Sequence, residues 1–297
     1  MAVAAAAARK ETHRKGAPRS KGEKGFTIVS YVCLIIFALL ILIPLLYIFQ
    51  LTFSANPDTS FRIIPQEFTL NNYKYVFENN LIQRPFLNSC FVTVCYLAVS
   101  MTLSVCMAYP ISRKELKGRN IFNFIVVFPM LFSLGFLPKY FLVRDLGLLN
   151  TYASLIFPAA MNTFNIIVLR NFFEGIPNSL VESARIDGAS ELTILRKIIL
   201  PLSKAALATV GLFYMVQSWN SYQDVLLYIN DTSKQTLQLV LRTMVMENSM
   251  DSSSLEQSLI KNVQYTTIVV ALLPIMVVYP FMQRYFVKGV MIGSVKE

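Results

Sequence analysis

The sequence predicts an all-α, polytopic membrane protein with about six transmembrane helices. Three observations carry this. Of 297 residues, 55% are hydrophobic and only 15% charged, a balance too apolar for a soluble domain of ordinary composition. The apolar residues gather into runs of the roughly 20 residues that a helix needs to cross a hydrocarbon core. Between those runs, basic charge falls on alternate loops.

Residues 1–25 are Ala-rich and then basic (Arg9, Lys10, Arg14, Lys15, Arg19, Lys21, Lys24). With no apolar periodicity, they predict a disordered cytoplasmic tail. Residues 26–297 are predicted to form the membrane domain, with spans at 26–53, 86–111, 121–143, 151–169, 205–229 and 265–287. The first run is far longer than the roughly 7–15 residues of a signal-peptide core, and no small-residue cleavage pattern follows it, so it is read as a retained helix. Pro44, Pro129, Pro138, Pro158 and Pro274 fall inside spans and predict bent helices whose freed backbone groups are satisfied by neighbours. Two long outer loops, 54–85 and 230–264, are available to face a soluble partner. No tandem or inverted repeat is evident.

Six crossings place both termini on one side. With that side cytoplasmic, the inner segments carry 19 of the 27 Lys and Arg and the outer loops carry 7, while each side carries 8 acids. The net charge of +10 is then wholly cytoplasmic, as the positive-inside rule requires. A nucleic-acid partner is not needed to explain it. Cys33, Cys90, Cys95 and Cys106 lie in predicted spans without CxxC spacing and read as small apolar fillers.

The segment from Glu174 to Lys204 is too long for a simple helix connection, yet it is patterned. Pro177 and Ser179 suit a helix start, and Leu180, Ala184 and Ile186 give a partly apolar face. Gly188 interrupts the pattern. Leu192, Leu195 and Ile199 then recur at helical spacing until Pro201, which should end or kink the run. The prediction is two short helices hinged at a glycine, with acids in front and Arg196 and Lys197 behind, forming a knob below the membrane.

In span five, Tyr214, Gln217, Ser221, Asp224 and Tyr228 recur at steps of three and four residues and so share one helical face. A polar face in lipid meets water, a substrate or another helix. Hydroxyl, amide and aromatic groups suit a sugar, and Asp224 is the costliest of the set to bury. Interhelical hydrogen bonding is the alternative reading. Asn162 and Asn165 in span four carry the same two readings, as does Lys139 in span three.

The stretch from Glu182 to Pro201 resembles the EAA loop of ABC importer permeases, with Glu182, Ala184, Asp187, Gly188, Ala189, Ile198, Leu200 and Pro201 matching. Ser183 replaces the usual Ala, and Leu192 and Leu195 stand where relatives often carry aromatics. Further stretches resemble binding-protein-dependent carbohydrate permeases of the maltose MalG type: Phe68-Thr69-Leu70, Asn72-Tyr73, Val76-Phe77, Asn88-Ser89, and Gln283-Arg284-Tyr285-Phe286 with Val287-Lys288-Gly289. The terminal KGVMIGSVKE is similar to the LplC-like branch associated with oligo- and polysaccharides. Trp219-Asn220 resembles a Trp-Asn pair of the same family. The resemblance implies a bacterial cytoplasmic-membrane protein that pairs with a second permease to enclose a pathway. Two cytoplasmic ATPases would dock on the coupling loop, through Glu182, Ser183, Ala184, Asp187, Gly188 and Ala189. An extracytoplasmic binding protein would deliver the substrate.

The residues agree on one point. None of the 11 glycines is followed by Lys, so there is no P-loop, and ATP with its Mg2+ is expected on partner chains. Enzymatic readings fare poorly. The single histidine, His13, lies in the tail, which leaves no Ser-His-Asp triad and no histidine metal site in the folded part. A two-aspartate intramembrane hydrolase needs two membrane acids, and only Asp224 is found. An ion-coupled secondary transporter, a permease for a non-sugar solute and an assembly scaffold are the alternatives. The first of these has no use for a cytoplasmic knob.

Overall fold

The computed structural model describes residues 21–55, 67–132, 135–247 and 255–293, and these are helical apart from turns and an isolated bridge between Ser54 and Phe68. The predicted tail lies largely outside them, but Lys21–Gly25 already belong to the first helix, α1 (Lys21–Thr52). An outer helix α2 (Asn71–Glu78) precedes the long α3 (Asn80–Ser112). Then come α4 (Arg119–Leu131), α5 (Phe136–Asp145), α6 (Ala153–Ile156) and α7 (Thr163–Glu174). The segment that follows holds α8 (Asn178–Ile186) and α9 (Glu191–Leu202). The chain finishes with α10 (Lys204–Trp219), α11 (Gln223–Tyr228), α12 (Leu237–Glu247) and α13 (Leu255–Gly293).

Among the described residues, three stretches are long and apolar enough to cross a membrane: Gly25–Thr52, Asn80–Ser112 and Lys261–Phe281. The pairs α4/α5, bent by 115°, and α9/α10, bent by 83°, raise the number to five if each is one crossing. Most of α1 buries nothing against the rest of the chain. Its outward Leu, Ile and Phe side chains form a surface that lipid satisfies.

Two predicted spans are not continuous helices. The fourth, 151–169, consists of α6 and α7 separated at Phe157–Asn162. The 12 residues of α7 reach about 18 Å, well short of a ~30 Å core. Pro158 has no N–H to continue a helix, and Asn162 restarts one by accepting the backbone N–H of Asn165 with its side chain at 3.2 Å. The fifth, 205–229, stops at Trp219 and resumes as α11. The predicted continuous polar face is therefore broken: Tyr214 and Gln217 belong to α10, Ser221 lies in the gap, and Asp224 and Tyr228 belong to α11.

The helix α3 is the mast of the bundle, lying against α7, α10, α12 and α4. Its buried stripe Ser89, Thr93, Tyr96, Ser100 and Ser104 follows helical spacing, with small polar residues where neighbours approach. The unwound 157–162 segment is repaired from this stripe. Tyr96 Oη donates to Ala159 O at 2.8 Å, and Tyr214 Oη accepts from Asn162 N at 3.3 Å while pairing with Ser104 Oγ at 2.6 Å. At the outer end, Asn72 Nδ2 donates to the carbonyls of Thr52 and Ser54, and Asn262 Nδ2 also donates to Ser54 O, tying α1, α2 and α13 together.

Ser104 is fully buried between α3 and α10. Ser104→Leu overfills that contact and deletes the partner of Tyr214, so destabilisation of about 1–3 kcal/mol is expected. A lower thermal unfolding midpoint in detergent checks it, with Ser104→Ala falling less.

Candidate functional site: the helical loop between Glu174 and Lys204

The loop is built as two helices joined by a glycine. The helix α8 starts after Pro177 and ends in a Schellman closure, with Ala189 N donating to Ala184 O at 2.9 Å and Gly188 N to Arg185 O at 3.0 Å. Gly188 takes φ +78°, the left-handed region that side chains bearing a Cβ avoid. A Cβ placed there would meet nothing within 4 Å. The glycine is therefore demanded by the turn itself. Ser190 caps α9, its side chain accepting from Thr193 N. Within α9 the hydrogen bonding widens to a π turn at Leu195–Ile199 just before Pro201, and the run bends at Ser203 into α10. Proline ends this segment as its missing N–H predicts.

The inward face of the loop consists of Val181, Ile194, Leu195 and Ile199, all buried, with Ala184 and Ala189 packed against them. Leu180 and Leu192 point outward, and Ile186 is 85% exposed. Ile186 does not belong to the packed face that the sequence pattern gave it. Glu182, Ser183, Asp187 and Gly188 are also exposed. The free surface of the knob is thus apolar at Leu180 and Ile186 and acidic at Glu182 and Asp187.

Two ionic clasps hold the knob to the membrane helices. In one, Glu191 accepts from Arg185 Nε at 2.9 Å and from Tyr109 Oη at 2.5 Å. This joins α8 and α9 to the inner end of α3, while the Arg113 guanidinium lies 4.9 Å over the Tyr109 ring. In the other, Arg119 donates to Glu174 at 2.8 Å and to Ile111 O at 2.9 Å, and Arg170 reaches Glu174 at 3.3 Å. The hydrogen bond from Tyr109 holds the Glu191 carboxyl below its usual range against the opposing pull of burial, with Arg185 adding to the effect. The bond to Glu191 raises Arg185 further. For Glu174, burial pushes upward, but Arg119 and Arg170 outweigh it and the carboxyl is lowered. Sequence reading missed Tyr109, Arg185 and Glu191. Arg170 and Glu174 were findable as an i,i+4 pair, whereas Tyr109 and Glu191 are 82 residues apart.

The span-five and span-four candidates are dispersed. Tyr214 is buried on Ser104, Asn162 caps α7, and Asn165 is buried behind it. Tyr228 is buried and stacks on Tyr140 with centroids 6.4 Å apart. Ser221 donates to Asp224 at 3.3 Å. Gln217 is exposed, and so is Lys139 on α5. The four cysteines are free, and no group of His, Cys, Asp and Glu among the described residues is arranged to hold a metal.

A family model described as the binding-protein-dependent transport system inner membrane component matches residues 16–292. The chain belongs to this family. Among curated relatives, the polygalacturonan/rhamnogalacturonan transport system permease YtcP of Bacillus subtilis is 44% identical, covering 91% of this chain and 98% of its own. Protein LplC of the same organism is also 44% identical, covering 86% and 89%. Among solved structures, a bacterial ABC transporter involved in import of the acidic polysaccharide alginate is 33% identical over 91% of this chain and all of the other, with a TM-score of 0.83. The protein is thus an inner-membrane transport permease subunit, not an enzyme. Asn88-Ser89, part of the family resemblance, has a visible task in this permease. Asn88 Nδ2 donates to Ser233 O and Gln235 O, both at 2.9 Å, and Ser89 Oγ accepts from Leu237 N at 2.9 Å. Together they fasten the outer loop to α3.

Two outcomes follow for the loop. Gly188 substitutions should lower stability in the order Asn, Ala, Val, with Ala costing about 1–2 kcal/mol, as read from thermal midpoints. Because the Glu191 carboxyl is lowered, its contribution is complete above the ordinary carboxylate range and is lost as pH falls through the folded value. Wild type should therefore lose more stability than Glu191→Gln between about pH 6 and pH 3, measured by thermal unfolding.

Proposed function

We propose that this permease forms half of the translocation pathway of an ATP-driven importer for an oligo- or polysaccharide. It pairs with a second, homologous permease, receives substrate from an extracytoplasmic binding protein, and is driven by two cytoplasmic ATPase subunits that bind ATP and Mg2+. The carbohydrate reading is supported by the relatives named for polygalacturonan/rhamnogalacturonan and alginate transport. The distribution of Lys and Arg supports a cytoplasmic position for both termini, the 112–120 loop and the 170–204 loop.

The observation that carries the coupling role is the knob itself. It offers Leu180 and Ile186 to solvent beside Glu182 and Asp187, a surface that fits an apolar socket rimmed with basic groups. The Tyr109–Glu191–Arg185 clasp makes it continuous with α3, so a push on the knob is delivered to the mast rather than absorbed by a slack loop. Gln217 on α10 and Asp224 on α11 remain the pathway candidates. Tyr214, Ser221, Tyr228, Asn162 and Asn165 support the pathway from behind by holding its broken helices.

In the assembled complex, Glu182→Lys places like charges together at the docking surface, at a cost of a few kcal/mol, and Gly188→Val distorts the knob. Both should cut transport at least tenfold and weaken ATPase co-purification, with membrane insertion retained and Ser183→Ala close to wild type. Normal transport by both variants in a complex of normal stoichiometry would sink the coupling role. For orientation, single cysteines at Lys117 and Asn71, both exposed, are compared in a cysteine-free background. Only the second should react with an impermeant thiol reagent in intact cells whose outer envelope admits it.

A further inference from the structure

We propose that the cleft between the end of α10, α12 and α13 reads a carboxylate on the transported sugar, with Arg242 as its anchoring cation. This rests on the carbohydrate reading above and deepens it by naming the substrate class, an oligosaccharide containing uronic acid residues.

The cleft has a volume of about 290 Å³ and is lined by Trp219, Asn220, Tyr222, Gln238 and Arg242, with an aliphatic floor that includes Leu241 and Ile268. Pockets near this size take one or two small rings. Each lining group has its own part. The Trp219 indole is buried, its Nε1 donating to Ala271 O at 3.0 Å and its ring meeting Phe86 edge-on, so it is a fixed wall. Asn220 uses Nδ2 on Val216 O at 3.0 Å, which leaves its side-chain oxygen free to accept a sugar hydroxyl. Gln238 adds an amide with both donor and acceptor capacity.

Arg242 is the distinctive member. Its guanidinium carbon lies 4.1 Å from the centroid of the Tyr222 ring, and it forms no ion pair with a carboxylate among the described residues. Stacking engages the flat face of a guanidinium and leaves the N–H groups at its rim available in one plane. That rim matches the two oxygens of a carboxylate. Held on Tyr222, the cation has lost part of its rotamer freedom before a ligand arrives, which favours binding. Two amides and an oriented guanidinium over an apolar floor in one cleft fit an acidic sugar ring better than a neutral sugar, which gives the cation nothing to neutralise, or a simple organic acid, which leaves the amides and floor unused.

The cleft is placed for transport. Asn220 belongs to it, and Gln217 and Gln223, both exposed, are close to it in sequence on either side of the break. The cleft lies where α10 breaks, at the level where the outer loop returns toward the bundle as α12. An acidic sugar held by Arg242 would meet Gln217 next along α10, one turn toward the membrane interior.

The test uses the whole complex, both permeases, the ATPases and the binding protein, in proteoliposomes. Uptake of a labelled trigalacturonate is compared with that of its fully methyl-esterified, uncharged form for wild type, Arg242→Lys and Arg242→Gln. Wild type should prefer the acidic sugar. In Arg242→Gln the acidic-to-neutral uptake ratio should fall at least tenfold, and in Arg242→Lys by a smaller factor, because the charge remains while the paired planar donors are lost. Equal loss of both sugars in the two variants, the result if Arg242 only holds a partner chain or the fold, would overturn the site, as would a wild-type ratio in Arg242→Gln. A wild-type complex that carries neutral but not acidic sugars overturns the site and keeps the carbohydrate reading. One that carries no sugar at all overturns both.

Discussion

A backbone N–H or C=O in hydrocarbon has no water to bond to, and this single demand shapes the centre of the permease. The predicted fourth span is unwound at Phe157–Asn162, which frees peptide groups beside α3 and α10. They are met by tyrosine hydroxyls from two other helices, Tyr96 on α3 and Tyr214 on α10. A tyrosine suits this task because its ring is content among apolar neighbours while its hydroxyl reaches one exposed peptide group. The two rings also pack edge to face with centroids 5.8 Å apart. The break and its repair are one unit, and α3, α7 and α10 are positioned by it.

The helix α3 then carries the same logic to both ends. Near its outer end, Asn88 and Ser89 take the backbone of the 233–237 stretch. Near its inner end, Tyr109 takes Glu191. The helix α3 thus touches the 233–237 stretch, the unwound 157–162 segment and the knob.

The knob shows why the strength of a surface feature depends on what stands behind it. The pair Arg185–Glu191 is partly exposed, and alone would contribute little. Joined to Tyr109, it closes a three-member network between α8, α9 and α3. The apolar face of Val181, Ile194 and Ile199 supplies the adhesion, and the network supplies the register. Because that register is fixed, Leu180, Ile186 and Glu182 can remain outward, unsatisfied within this chain and available to another.

The sequence by itself determined the class of protein and the two-helix form of the segment between Glu174 and Lys204, since both rest on properties that need no partner. Apolar run length decides membrane residence, and Gly188, which ends the first of the two short helices, marks a left-handed turn that few other residues accept. Only tertiary structure decided where the crossings break and which polar residues stay free. Periodicity treats 151–169 and 205–229 as helices because a proline or an Asn-Ser pair is compatible with either a kink or a stop. At 157–162 the stop is met by the distant hydroxyls of Tyr96 and Tyr214, and after Trp219 by local backbone bonds from Asn220 and Ser221 to Val216 and Ser218. For the same reason Tyr214 and Gln217, neighbours on one predicted face, have opposite fates. Tyr214 is buried against Ser104, which is 110 residues away, and Gln217 faces outward, a difference that no local spacing encodes because it is set by which helix happens to lie alongside.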